Sequence, residues 1–126
     1  MDNDPLYQEY ILDLYRHPHN KQALTEFDIK QHAKNPLCSD EIDLFIKFGA
    51  NEKAVDVGFV GDGCAISTAA TSLLTDFMKN KNKKELAKIS QEKMLEILGL
   101  PNISPARIGC ATLGLKALHN AIKHGS

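Results

Sequence analysis

The sequence contains no apolar run long enough to cross a membrane, and it does not open with a segment typical of a secretory signal peptide. It also lacks an excess of charge, since the formal net charge of its 126 residues is −1, so we expect neither nucleic acid nor an anionic membrane as a partner. Cysteine is scarce: there are three, an odd number that cannot pair fully within one chain. We therefore expect a cytoplasmic location in which the thiols stay reduced or bind metal.

The composition is ordinary for a globular protein, with 43% hydrophobic and 25% charged residues. The length fits one domain, and no repeat, low-complexity tract or linker divides the chain, so we predict a single domain over residues 1–126. Charge is uneven along it. Residues 1–63 carry 12 acidic and 6 basic side chains, and residues 64–126 carry 4 and 9. This asymmetry indicates either attraction between solvated faces or a docking surface for a charged protein partner.

The apolar pattern predicts one helix, then three strands, then further helices. Pro5 suits the first helical position and His17-Pro18 ends the helix, which gives a first helix over 3–16. The other predicted elements are strands over 24–33, 42–48 and 55–59, a helix over 65–79, a helical turn at Leu86 to Ile89, a helix from Ser90 to Leu98, a loop marked by Gly99, Pro101 and Pro105, and a last helix over about 110–123.

Sequential strands with short links predict a three-stranded antiparallel sheet, and the later helices would pack on one of its faces. The predicted fold class is therefore α+β, with the N-terminal helix first. Gly114 lies inside the predicted last helix, where glycine costs about 1 kcal/mol relative to alanine. Its presence there indicates close packing or a bend.

The three cysteines each lie where a turn meets a regular element. Cys64 and Cys110 are both expected to open a helix, where free N–H groups and the helix dipole stabilise a thiolate. Cys38 lies in a turn before the central strand, and Asp40, two residues on, would point the same way in an extended stretch. Three cysteines and one carboxylate could supply a tetrahedral site for a soft metal.

The residues alone leave other interpretations open. A cysteine in an intracellular protein is often a small buried hydrophobe, and separations of 26 and 46 residues match no compact zinc-finger pattern. Asp40 suits an Asx-turn as well as ligation, and Asp62 between two glycines suits a turn. His17 and His19 have no cysteine or carboxylate spaced beside them for ligation, so we expect surface histidines.

Three motifs and the opening helix carry a resemblance to a known family. The motifs are Asn35-Pro36-Leu37-Cys38-Ser39-Asp40, Gly61-Asp62-Gly63-Cys64-Ala65-Ile66-Ser67 and Arg107-Ile108-Gly109-Cys110-Ala111-Thr112-Leu113. With the His17-Pro18-His19-Asn20 end of the first helix, they resemble the scaffold family of iron–sulfur cluster assembly, called IscU, SufU and the N-terminal domain of NifU. The second and third motifs are nearer the SufU form.

The resemblance implies a function and a set of ligands. Cys38, Cys64 and Cys110 would hold a nascent [2Fe–2S] cluster or Zn²⁺, with Asp40 as the fourth ligand or a gate. Sulfur would come from a cysteine desulfurase, and the cluster would pass to apo recipient proteins. A scaffold of this kind is not an enzyme.

The chain also departs from the family pattern. Ser39 replaces a usual glycine, and Gly109 stands where IscU types carry a histidine ligand and SufU types often carry lysine. The Leu-Pro-Pro-Val-Lys segment of IscU types is replaced by the sequence over 103–107, so the resemblance gives no support for recruitment of the dedicated Hsp70 chaperone. The interval from Cys64 to Cys110 is too short for the insertion typical of SufU.

Two alternatives to the scaffold hypothesis remain at this stage. In one, the protein is a zinc-bound sulfur acceptor, a sulfurtransferase that stimulates a SufS-type cysteine desulfurase. In the other, it is a thiol enzyme whose cysteine pairs with His119 or His124, although we expect both histidines to face solvent.

Overall fold

The computed structural model describes residues 5–36, 39–99 and 103–124, without the side chains of residues 5–8 and 124. The elements in chain order are α1 (Pro5–Arg16), β1 (Ile29–Lys34), β2 (Glu41–Phe48), β3 (Ala54–Asp62), α2 (Ala65–Met78), α3 (Lys83–Ala87), α4 (Gln91–Leu98), α5 (Pro105–Ala111) and α6 (Leu113–His124). Within those ranges, no helix is long and apolar enough to span a bilayer.

The three strands form one antiparallel sheet in the order β1-β2-β3. Strand β2 is central because it pairs with both neighbours. Its residue Ile46 lies opposite Ile29 of β1 and Val57 of β3, and its residue Leu44 lies opposite Phe59. All five of these side chains are at least 96% buried. The alternation of the strands thus builds one apolar face, and the α+β prediction is confirmed.

Helices α2 and α6 cover that face. Helix α6 packs on β1 and β2, while α2 packs on β3 and also contacts α1, α4, α5 and α6. Side chains of α2 and α6 such as Leu74, Met78 and Leu118 have no solvent exposure. Because α2 contacts so many other elements, its N-terminal end is held in place by the core.

The opposite face of the sheet is partly covered by the chain between α1 and β1. The ring of Phe27 meets that of Phe45 edge-on with centroids 5.2 Å apart, and Leu24 is buried. Gly58 is required there, since a Cβ atom would lie 2.3 Å from the carbonyl oxygen of Gln22. The expected strand over 24–33 is therefore wrong at its start. The first strand begins at Ile29, because the preceding residues pack over the sheet and do not extend it.

The expected last helix over 110–123 is two helices, α5 and α6. Pro105 was expected in a loop, but it occupies the first turn of α5, after Ser104 as the N-cap. Proline fits this position because its missing N–H would have no partner there. Thr112 ends α5 with φ −108° and ψ 8°, so Cys110 lies in the last turn of a helix.

Helix α4 begins after Ser90 and ends at Gly99, as the sequence predicted. The Oγ atom of Ser90 accepts a hydrogen bond from Lys93 N at 3.0 Å, and Gly99 ends α4 in the left-handed region with φ 80°. The predicted turn near Leu86 is helix α3, which begins with a reciprocal cap between Asn82 and Glu85.

Gly114 permits the close contact between α6 and α2. A Cβ atom there would lie 2.8 Å from Thr71 Oγ1 and 3.3 Å from Leu74 Cδ2. Helix propensity alone would make alanine more stable by about 1 kcal/mol. We expect Gly114→Ala to lower the free energy of unfolding by about 1–2 kcal/mol, because overpacking outweighs propensity.

Urea denaturation checks this expectation. Lys116→Ala, at an exposed position on the same helix, is the control and should change stability little. A Gly114→Ala protein more stable than the wild type would contradict the close contact.

Candidate metal centre

Three potential ligand atoms from separate elements converge at one end of the sheet. A carboxylate oxygen of Asp40 and the sulfurs of Cys64 and Cys110 all lie within 4.8 Å of one another. Asp40 directly precedes β2, Cys64 precedes α2, and Cys110 belongs to α5. Cys38 lies outside the described residues, so its position in this cluster stays a prediction.

The two carboxylate oxygens of Asp40 have different surroundings. Asp40 is 7% exposed, and its backbone oxygen accepts a hydrogen bond from Asn35 N at 2.9 Å. Its Oδ1 accepts one from Cys64 N at 3.2 Å. Its Oδ2 is buried and has no hydrogen-bond partner among the described residues. A buried carboxylate oxygen without a partner is costly, and a bound cation would satisfy it.

Cys64 is the N-cap residue of α2, as the sequence predicted, with φ −71° and ψ 174°. It is half-buried. Gly61, near the end of β3, requires glycine: its φ is 135°, and a Cβ atom would lie 2.2 Å from Glu41 O. The thiol of Cys64 therefore sits at the positive end of a helix that the core holds rigidly.

Cys110 does not open a helix, and that expectation is wrong. It lies near the C-terminal end of α5, because α5 begins at Pro105. It is 9% exposed. Burial, together with the neighbouring Cys64 and Asp40, raises the pKa of the Cys110 thiol to about 12. Several potential anions crowd together here, and a bound cation would favour the thiolate form.

Two further residues shape the site and were not predicted to do so. Ser67 is 1% exposed, and its Oγ donates to Cys64 O at 3.1 Å. Asn35 is 6% exposed, and its Nδ2 lies 3.1 Å from where a Cβ atom of residue 109 would be. The sequence held two signals that could have identified these residues. Ser67 lies three residues after an N-cap, and Gly109 has no side chain to fill the space beside Asn35.

The histidines lie away from this cluster. His17 and His19 are exposed, as expected, although Nδ1 of His19 meets Asp76 Oδ2 at 2.6 Å. His119 was expected to face solvent, which is wrong: it is half-buried, with Nε2 2.8 Å from Ile89 O. The side chain of His124 is outside the described residues. In the part of the chain that the structure describes, Asp40, Cys64 and Cys110 form the one group suited to hold a metal ion.

Comparison with known proteins agrees with this arrangement. Residues 6–125 match the family model of the NifU-like N terminal domain. The chain is 35% identical to the iron-sulfur cluster assembly scaffold protein IscU of Streptococcus pyogenes serotype M1, over 96% of this chain and 85% of that protein. It is also 35% identical to the zinc-dependent sulfurtransferase SufU of Bacillus subtilis, over 94% of this chain and 90% of that one.

A solved structure shares the architecture. It is the putative iron-sulfur cluster assembly scaffold protein for the SUF system of Fervidobacterium islandicum AW-1. The TM-score is 0.78 at 27% identity, covering 90% of this chain and 94% of that one. The cysteine motifs, the sheet with its helices and the family match over nearly the whole chain agree, and the chain therefore belongs to the NifU-like N-terminal domain family.

Proposed function

We propose that this protein is a scaffold that assembles an iron–sulfur cluster and transfers it to apo recipient proteins. Its ligands would be Cys38, Cys64, Cys110 and Asp40, carried by a single domain of residues 1–126. The observation that supports this most directly is the convergence of Asp40, Cys64 and Cys110 within 4.8 Å. Because the function needs reduced thiols, we expect it in the cytoplasm.

The chemistry of these side chains suits a cluster that is cargo. Thiolates are the usual protein ligands of iron–sulfur clusters. A carboxylate is a harder donor than a thiolate and binds the iron of a cluster less tightly. A site with one carboxylate can therefore release its cluster. The Oδ2 atom of Asp40, which has no hydrogen-bond partner in the described part of the chain, is the oxygen available for this purpose. The sulfur would come from a cysteine desulfurase as a persulfide, and an external electron donor would reduce it to sulfide.

A second function has its own support. The similarity to a protein named as a zinc-dependent sulfurtransferase covers 94% of the chain, and Cys64 is more accessible than the buried Cys110. In this alternative the site holds Zn²⁺, which would order the thiolates. Cys64 then attacks the outer sulfur of a desulfurase persulfide. A new S–S bond forms at Cys64, the desulfurase S–S bond breaks, and the desulfurase cysteine leaves as a thiolate.

Anaerobic reconstitution distinguishes the two functions. With iron and sulfide, we expect the purified protein to develop the absorption bands of a [2Fe–2S] cluster. Cys64→Ser and Cys110→Ser should each lose most of this absorption, because each removes a thiolate ligand. Asp62→Asn is the matched control, since Asp62 is an exposed carboxylate at the same end of the sheet.

Two outcomes would count against the scaffold. Tightly held zinc that iron does not displace, together with faster turnover of a cysteine desulfurase, would favour the sulfur acceptor. Cluster absorption that survives both cysteine substitutions would overturn the ligand set itself.

The Asp40→Ala protein should hold its cluster longer than the wild type. We expect transfer to apo-ferredoxin to slow several-fold, because the substitution removes the labile ligand through which release would begin. Circular dichroism of the ferredoxin cluster measures the rate, with Asp62→Ala as the control. Transfer as fast as in the wild type, or faster, would contradict this role for Asp40.

The thiols of Cys64 and Cys110 should differ in reactivity. After metal removal at pH 8, we expect iodoacetamide to modify Cys110 more slowly than Cys64 by about tenfold or more, because burial and a raised pKa keep the Cys110 thiol protonated. Peptide mass spectrometry measures each site separately. In urea the two should react alike, and equal rates in the folded protein would argue against this difference in access.

A further inference from the structure

The hydrogen bond between Asp40 and Cys64 depends on how the Cys64 backbone is held. The N–H of Cys64 donates to Asp40 Oδ1, which leaves Oδ2 as the oxygen without a partner among the described residues. If the Cys64 backbone turned, this N–H would no longer point at Oδ1. The carboxylate would then lose the contact that distinguishes its two oxygens.

Ser67 holds the Cys64 backbone from the first turn of α2. Its Oγ donates to Cys64 O at 3.1 Å, and Thr68 N donates to the same oxygen at 3.0 Å. An amide donor at this place is ordinary in a helix, whereas the hydroxyl is an addition supplied by the side chain. Ser67 is 1% exposed, so water does not compete for this hydroxyl.

Gly63 provides the space that the hydroxyl occupies. A Cβ atom on Gly63 would lie 2.2 Å from Ser67 Oγ, 3.4 Å from Ser67 Cβ and 3.7 Å from Asp40 Cγ. The φ angle of Gly63 is not positive, unlike that of Gly61, so backbone conformation does not require glycine here. A side chain at residue 63 would instead disturb the Ser67 hydroxyl.

We propose that Gly63 and Ser67 are positioning residues that fix the Asp40 carboxylate in the metal centre through the backbone of Cys64. The hydroxyl of Ser67 orients the Cys64 backbone, and the Cys64 N–H then binds Oδ1 and leaves Oδ2 free to act as a ligand. Both residues would act through the backbone of Cys64, since Gly63 has no side chain and the Ser67 hydroxyl donates to Cys64 O. This inference rests on the proposed function, because it assigns a role in the same site.

Cobalt(II) binding provides the test, since its absorption bands respond to the ligands and their geometry. Asp40→Asn is the reference, because asparagine can accept the Cys64 N–H bond but presents an amide nitrogen to the metal. We expect Gly63→Ala to shift the bands toward those of Asp40→Asn, and Ser67→Ala to shift them less in the same direction. In Gly63→Ala, the half-life of the reconstituted cluster should lengthen by roughly threefold, in the same direction as expected for Asp40→Ala. A threefold change is the scale of one hydrogen bond.

The double variant separates positioning from general damage. In Gly63→Ala/Ser67→Ala the hydroxyl that obstructs the new methyl group is gone, so its spectrum should match that of Ser67→Ala. Independent effects would instead add. Ser72→Ala removes another buried hydroxyl of α2, away from the site, and should leave the cobalt bands unchanged even if it lowers stability.

Each outcome is decisive. Wild-type cobalt bands in Gly63→Ala or in Ser67→Ala, or additive shifts in the double variant, would overturn the positioning role while leaving the proposed function intact. Identical bands for the wild type and Asp40→Asn would show that Asp40 is not a ligand. That result would overturn both the proposed ligand set and the inference built on it.

Discussion

The hydrogen bond from the Cys64 N–H to Asp40 Oδ1 is the interaction on which the site depends. It joins two residues that are 24 positions apart, one at the start of β2 and one at the start of α2. It satisfies an N–H group that has no partner within its own helix, and it occupies one of the two carboxylate oxygens. The sheet and the helix layer therefore meet at a polar contact. This contact uses Oδ1 of Asp40, so the second carboxylate oxygen, Oδ2, could act as a metal ligand.

The pairing of β2 with β3 sets up this contact. Glu41 lies opposite Asp62 and Ile42 lies opposite Gly61, so the residue before β2 and the residues after β3 end at the same edge. Because side chains alternate along a strand, a slip of one residue would turn the buried side chains of β2 away from the core. The apolar core thus fixes the register, and the register brings Asp40 to Cys64.

Much of the fold follows from local patterns in the sequence. Alternation identifies β2 and β3 because Leu44, Ile46, Val57 and Phe59 all face one helix layer, and the 3.6-residue period identifies α2. The start of β1 was not predictable in this way. Leu24 and Phe27 are apolar because they cover the outer face of the sheet, and no local pattern distinguishes that from a strand. The break at Thr112 was missed for a related reason, since apolar residues continue through it from α5 into α6.

The residue types alone suggested a shared metal site, and the family resemblance made that prediction specific. Its candidate ligand atoms come from residues in or beside three different elements. The number of residues that separate these positions reflects the lengths of the intervening strands and helices. Spacing alone therefore carries no metal pattern. The proposed roles of Ser67 and Gly63 depend on one distance: a Cβ atom at residue 63 would lie 2.2 Å from Ser67 Oγ. A single sequence gives no sign of such a distance.

The location of the site would allow the proposed binding and release to coexist with a stable core. The potential ligand atoms of Asp40, Cys64 and Cys110 lie at the ends of elements, while the large buried side chains of the sheet, α2 and α6 form a separate cluster. Burial, together with the neighbouring Cys64 and Asp40, raises the pKa of the Cys110 thiol to about 12, which favours its protonated form when no metal is bound. Displacing that proton opposes tight retention of a metal. Under the proposed function, the need to displace this proton and the single oxygen donor would together limit how long the site holds its cargo, which is the property that a transfer scaffold requires.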